Sequence, residues 1–74
     1  MKPNELKNLI EKHQLWLESE GSKGEKLNLA QNDLEGVSFV RLNLAYADFR
    51  EAKLKEAIFI GSDLREVNFE KADL

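Results

Sequence analysis

Two hydrophobic rhythms run along the chain, and they change over near Lys26. Across residues 3–20, PNELKNLIEKHQLWLESE, the positions Leu6, Leu9, Ile10, His13, Trp16 and Leu17 recur at three- and four-residue spacing. On a helix turning about 100° per residue they share one face. The spacing predicts a single amphipathic helix, with Pro3 suited to its start, Asn4 as its candidate cap and Gly21 as its stop. Leu15 points the opposite way, towards water. GSKGEK, residues 21–26, reads as a short connector.

From Leu27 the helical period disappears. Leu29, Leu34, Phe39, Leu44, Phe49, Leu54, Phe59, Leu64, Phe69 and Leu74 occupy ten successive positions five residues apart, without a miss. Two residues before each of these beats the chain is mostly small or apolar, as at Leu27, Val37, Ala47, Ala52, Ala57 and Ala72. One residue before, Asn or Asp predominates: Asn28, Asp33, Asn43, Asp48, Asp63, Asn68 and Asp73. A period of five fits neither the 3.6 of a helix nor the 2 of a strand. Self-similarity at fixed spacing points to repeats that bury little alone and must stack.

The quintets ADFRE, AKLKE, SDLRE and ADL resemble the A(D/N)LXX unit of pentapeptide-repeat proteins, and the resemblance covers residues 27–74. It implies an all-β solenoid. The expected form is a right-handed quadrilateral β-helix with four quintets per coil, the beat residue and the one two before it turned inward. The leader LKNLIEKHQLWLESEG is similar, more loosely, to the short helical N-terminal segment of some bacterial and phage members. Residues 1–26 are then a capping helix and connector, and residues 27–74 a β-helix of about 2.4 coils, roughly 12 Å tall at about 4.8 Å per coil. The phenylalanines, on every second beat, independently require an even number of quintets per coil if like is to stack on like. Two and four both satisfy that test.

With four quintets per coil, face one carries beats 29, 49 and 69 and face two carries beats 34, 54 and 74. Face three carries 39 and 59, and face four 44 and 64. The helix, through Leu6, Leu9, Ile10, His13, Trp16 and Leu17, is the expected cover for the N-terminal end. The last beat, Leu74, has no such cover, which makes that end an expected site of stacking on another copy or of continuation into a longer solenoid. AIFIG, residues 57–61, breaks the surface pattern. Ile58 and Ile60 flank Phe59 where other quintets carry charge, with Val40 one coil below Ile60. Together Val40, Ile58 and Ile60 make an outward apolar patch, an expected contact surface.

Composition narrows function mainly by exclusion. Seventy-four residues allow one small domain, and the absence of Cys removes disulfides and thiolate metal sites. No apolar run has the length of a signal peptide core or a membrane span, so a cytoplasmic protein without membrane partners is expected. The net charge of -3 with interspersed signs argues against nucleic acid as a partner. His13, the sole histidine, sits mid-face on the helix and reads as a packed residue with one satisfied nitrogen rather than a base or ligand. The serines lack partners for nucleophilic activation, and the Asn/Asp column reads as outward groups bonding local turns. No catalytic residue, cofactor, metal or small-molecule substrate is expected.

The expected function is a non-enzymatic structural or protein-interaction module, self-associating as a homodimer through Leu74 and its surroundings or through the patch of Val40, Ile58 and Ile60. The alternative implied by the resemblance is a DNA mimic that inhibits or protects a type II topoisomerase such as gyrase. Mimicry calls for a row of acidic groups, whereas the four faces sum to -1, -2, +1 and -1.

Overall fold

The computed structural model describes all 74 residues. Its one helix, α1, spans Pro3–Glu18. Pro3 stands at the first helical position, where its missing N–H costs nothing, and extended Lys2 precedes it without a side-chain cap. Asn4, the expected cap, therefore lies inside the first turn. The helix stops two residues short of the predicted Glu20: Ser19 bonds back to Leu15, and Gly21, at φ 90°, donates to the Trp16 carbonyl at 2.8 Å.

The connector then doubles back along α1. Glu25 N–H reaches the Lys12 carbonyl at 3.1 Å, and this brings Gly24, at φ 67°, against the helix backbone. A Cβ on Gly24 would collide with the Lys12 carbonyl oxygen and sit 2.8 Å from Trp16 N. Glycine is required here twice over, for its conformation and for its size.

Beyond Leu27 the chain forms isolated parallel bridges rather than continuous strands: Asn28 with Asp48, Asp33 with Lys53, Ser38 with Ile58, Asn43 with Asp63, Asp48 with Asn68 and Lys53 with Asp73. Each pair is twenty residues apart, so four quintets complete one turn, and the two-quintet coil is excluded. The backbone repeats one bonding rule. A beat N–H donates to the carbonyl nineteen residues ahead, as Leu29 does to Asp48 at 2.8 Å. The N–H one before a beat donates to the carbonyl twenty-one residues behind, as Asp48 does to Leu27 at 2.9 Å.

Corners keep the bridges short. The carbonyl of a beat residue accepts the N–H three residues on, as Phe49 does from Ala52 at 3.1 Å. Two residues past every beat from 29 to 69 the backbone turns left-handed, at φ values from 57° for Arg41 to 72° for Gly61. This is a type II-like corner, and it leaves only a couple of extended residues per side. The Asn/Asp column braces it. Oδ1 of Asn28, Asp33, Asn43, Asp48, Asp63 and Asn68 each accepts the N–H two residues later, at 3.0–3.2 Å.

One corner departs from the rule. Leu42 N–H donates instead to Ser62 Oγ at 3.0 Å, and that hydroxyl donates to the Phe39 carbonyl. The serine of the coil above has inserted itself into the corner below.

Leu27, Leu29, Leu34, Phe39, Leu44, Ala47, Phe49, Ala52 and Leu54 form the buried core. Phe39 stacks on Phe59 at 5.1 Å and Phe49 on Phe69 at 5.6 Å, while rings from the two columns meet edge to face. Leu6, Leu9 and Ile10 of α1 pack against the N-terminal end of this core.

Two expectations follow. Gly36 faces open space at φ 72°, so Gly36→Ala bears backbone strain alone and should cost about 1 kcal/mol. Gly24→Ala adds the collision with α1 and should cost about 3 kcal/mol or more in the same urea titration. Equal losses would contradict the tight packing of the connector. Ser62→Ala places a side chain common in other quintets yet strips Leu42 N–H and the Phe39 carbonyl of their shared partner. A loss of about 1–2 kcal/mol and faster exchange of the Leu42 amide are expected; unchanged stability would mean the corner closes without the hydroxyl.

Candidate interaction surfaces

At the N-terminal end the side chain that matters most is His13, fully shielded from solvent. α1 holds it one turn beyond Leu9 and Ile10, facing the first coil. Leu27 N–H donates to Nδ1 at 2.9 Å, and Nε2 lies 3.0 Å from the Ala45 carbonyl oxygen. Because Nδ1 accepts, it carries no proton, so Nε2–H is the donor and the ring is neutral. Both nitrogens are satisfied, where the sequence suggested one.

The two backbone groups it serves are among those the first coil cannot satisfy itself. One coil higher, Ala47 stands in the place of Leu27 and donates to the Leu44 carbonyl; Arg65 stands in the place of Ala45 and its carbonyl accepts Tyr46 N–H. For Leu27 and Ala45 no preceding quintet exists in the stack, and the imidazole supplies one acceptor and one donor. Burial pushes the His13 pKa below its ordinary value; the Ala45 carbonyl opposes the shift and the Lys26 ammonium adds to it. Trp16, one of the residues expected to cover this end, is half-buried and stacks over the imidazole at 5.6 Å, with Tyr46 edge-on to it at 6.3 Å.

Burial fades towards the opposite end. Phe59, Leu64 and Phe69 are half-buried and Leu74 is 73% exposed. The N–H groups of Glu56, Phe59, Gly61, Leu64, Glu66, Phe69, Lys71 and Leu74, whose counterparts below all donate to the next coil, have no partner. On face three Val40, Ile58 and Ile60 come together, with Ile60 71% exposed. α1 packs on the N-terminal end and does not cover this patch. Leu74 stands on face two, over Leu54, and is not part of it.

Electrostatics elsewhere are internally balanced. Five pairs of charged residues lie twenty apart and so one above the other: Asp33 with Lys53, Lys53 with Asp73, Glu35 with Lys55, Arg50 with Glu70, and Glu51 with Lys71. All five are opposite in sign. Arg50 and Arg65 also bond bidentately to Asp48 and Asp63, and these guanidiniums hold both carboxyls below the usual range. Arg50, Glu51, Glu70 and Lys71 line a shallow groove of about 100 Å³. The charges around it pair with one another, and no group of three metal-binding side chains converges anywhere. No face offers the uncompensated acidic row that DNA mimicry needs. No helix is long and apolar enough to cross a membrane.

Sequence reasoning missed Gly24, Ala45, Tyr46 and Ser62. A signal existed for Ala45: the position after the beat holds Arg50, Lys55, Arg65 and Glu70 in other quintets, so a buried alanine there marks a covered edge.

Comparison with curated proteins and with solved structures returned no match. The pattern of the family described as Pentapeptide repeats matches residues 26–59 and 43–74, in eight copies. Two-thirds of the chain, built on one five-residue rule of beat, braced corner and twenty-residue stacking, thus carries that family's signature, and the protein belongs to the pentapeptide-repeat family.

Proposed function

We propose that the protein is a structural, protein-interaction module rather than an enzyme. In this reading residues 27–74 wind as a right-handed quadrilateral β-helix, residues 1–26 close its N-terminal end, and the far end associates with a second copy of the chain. One observation carries it: the two ends are treated oppositely. The N-terminal end is covered by apolar side chains and by His13, which supplies two of its missing backbone partners, while the N–H groups of Asn28, Asp33, Ser38 and Asn43 stay unpaired. The far end presents half-buried Phe59, Leu64 and Phe69, exposed Leu74 and eight unpaired N–H groups. Unpaired donors beside apolar surface are a template for another edge. A two-fold contact between such ends would close a dimer, because α1 occupies the other end of each copy.

Sedimentation equilibrium tests this. The protein should sediment at twice its 8.5 kDa chain mass, and Leu74→Asp should lower the mass to that of the single chain. Ile58→Asp with Ile60→Lys separates the flank from the end: loss of the dimer would assign the contact to face three, and a retained dimer would keep it at the end. A wild-type protein that stays monomeric at about 100 μM, weaker than about 5 kcal/mol of association, would refute self-association.

A further inference from the structure

We propose that His13 is an acid-released latch: α1 stays docked on the first coil while the imidazole is neutral and lets go when the ring takes up a proton, uncovering the N-terminal end of the stack. The inference rests on the reading of α1 as a cap and adds to it a condition under which the cap opens.

The geometry permits one protonation state. Nδ1 is the acceptor for Leu27 N–H at 2.9 Å, so a proton arriving from solvent at Nδ1 sets two donors against each other and breaks that bond. The Nε2–H bond to the Ala45 carbonyl is unaffected in kind, but the ring now carries a buried positive charge. Nothing nearby neutralises it. From the connector the charged neighbour is Lys26, itself a cation. From the first coil the ring meets the Ala45 carbonyl, with Tyr46 beyond Trp16. From α1 it meets the face of Trp16, flanked in sequence by exposed Lys12 and Gln14. A buried charge without a partner is expelled or lost.

Release is local because the two parts are held by different means. The coils are tied by their ladder and by the phenylalanine columns, neither of which involves α1. The helix is held by Leu6, Leu9, Ile10, the edge contact of Trp16 with Tyr46, the connector's Glu25–Lys12 bond and the two bonds of His13. At sixteen residues it is marginal on its own in water. The direction with pH follows from the lowered His13 pKa. Once released, the ring regains its ordinary value of about 6.5, so docking is at full strength above that pH. Below it, docking weakens by up to about tenfold per unit until the pKa of the docked ring is passed.

Amide hydrogen exchange on the full chain between pH 5.0 and 7.5, corrected for intrinsic rates, tests the latch within a range where carboxylates stay ionised. Below pH 6.5, protection of the α1 amides should fall by up to about tenfold per unit, with a parallel change in Trp16 fluorescence. The Phe39 and Phe49 amides should stay protected. In His13→Gln the α1 protection should be lower and independent of pH. A flat wild type, the same slope in the variant, or equal losses at Phe39 and Phe49 would each overturn the latch while leaving the cap. Unprotected α1 amides already at pH 7.5 would sink the cap itself. Should the variant not fold, the His13 Cε1 proton resonance of the wild type decides: a midpoint below 6.5 that coincides with release supports the latch, and one at or above 6.5 overturns it.

Discussion

A backbone group on an inner coil finds its partner nineteen or twenty-one residues away, whereas a group on an outer coil has nothing beyond it. With so few coils, the terminal edges are a large share of the whole. The structure therefore depends on what meets the backbone at its ends, because an orphaned buried N–H or carbonyl forfeits the worth of a hydrogen bond. His13 answers that need at one point in each direction, accepting from Leu27 and donating to Ala45. A lysine there would offer only donors and a leucine neither role. Neutral imidazole is the side chain that presents an acceptor and a donor on opposite sides of one flat ring.

Much of this was legible in the sequence, for a simple reason. Core positions in a stacked coil are set by side-chain size and by a fixed interval, and ten Leu or Phe beats display both. The alternation of Phe and Leu went further and restricted the coil to an even number of quintets, which the ring stacking at 5.1 and 5.6 Å makes physical. The Asn/Asp column announced turns that it braces, but the left-handed backbone of the corners was not legible. Left-handed backbone is ordinarily announced by glycine, yet here Gln31, Arg41, Tyr46, Glu51, Glu56, Glu66 and Lys71 adopt it. Tertiary hydrogen bonds and the Asn/Asp braces offset a conformation these residues do not prefer. His13 was placed on the buried face correctly, but its partners are backbone groups 14 and 32 residues away, and no side-chain pattern encodes them. Gly24 was hidden for a similar reason: it is needed because the connector folds back on α1.

The charges make sense only once the twenty-residue register is known. Pairing fifteen residues apart keeps every beat inside but sets each Phe against a Leu, and the charges count against it as well. It would set Asp33 against Asp48, Asp48 against Asp63, Arg50 against Arg65 and Glu51 against Glu66. In the register observed, none of the stacked pairs is like-charged. Each such pair is weak when exposed and screened by salt. Their collective effect is on choice of register rather than on gross stability, and it acts in the same direction as the phenylalanine columns.

Faces three and four stand outside this scheme, and on face three that bears on the isoleucines. The stacked pairs of face three are Ser38 with Ile58, Val40 with Ile60, and Arg41 with Gly61, so opposite charges never meet there. On this face Val40, Ile58 and Ile60 are β-branched side chains, which suit extended backbone, and Ser62 reaches down into the corner after Phe39. The preference of such backbone for β-branched residues is reason enough for their presence whether or not a partner ever touches them. A partner that binds there would use side chains the extended backbone already favours, whereas the unpaired N–H groups beside half-buried Phe59 and Phe69 at the far end find no partner among residues 27–74. That asymmetry is the reason to look for association first at the end of the stack and only second on its flank.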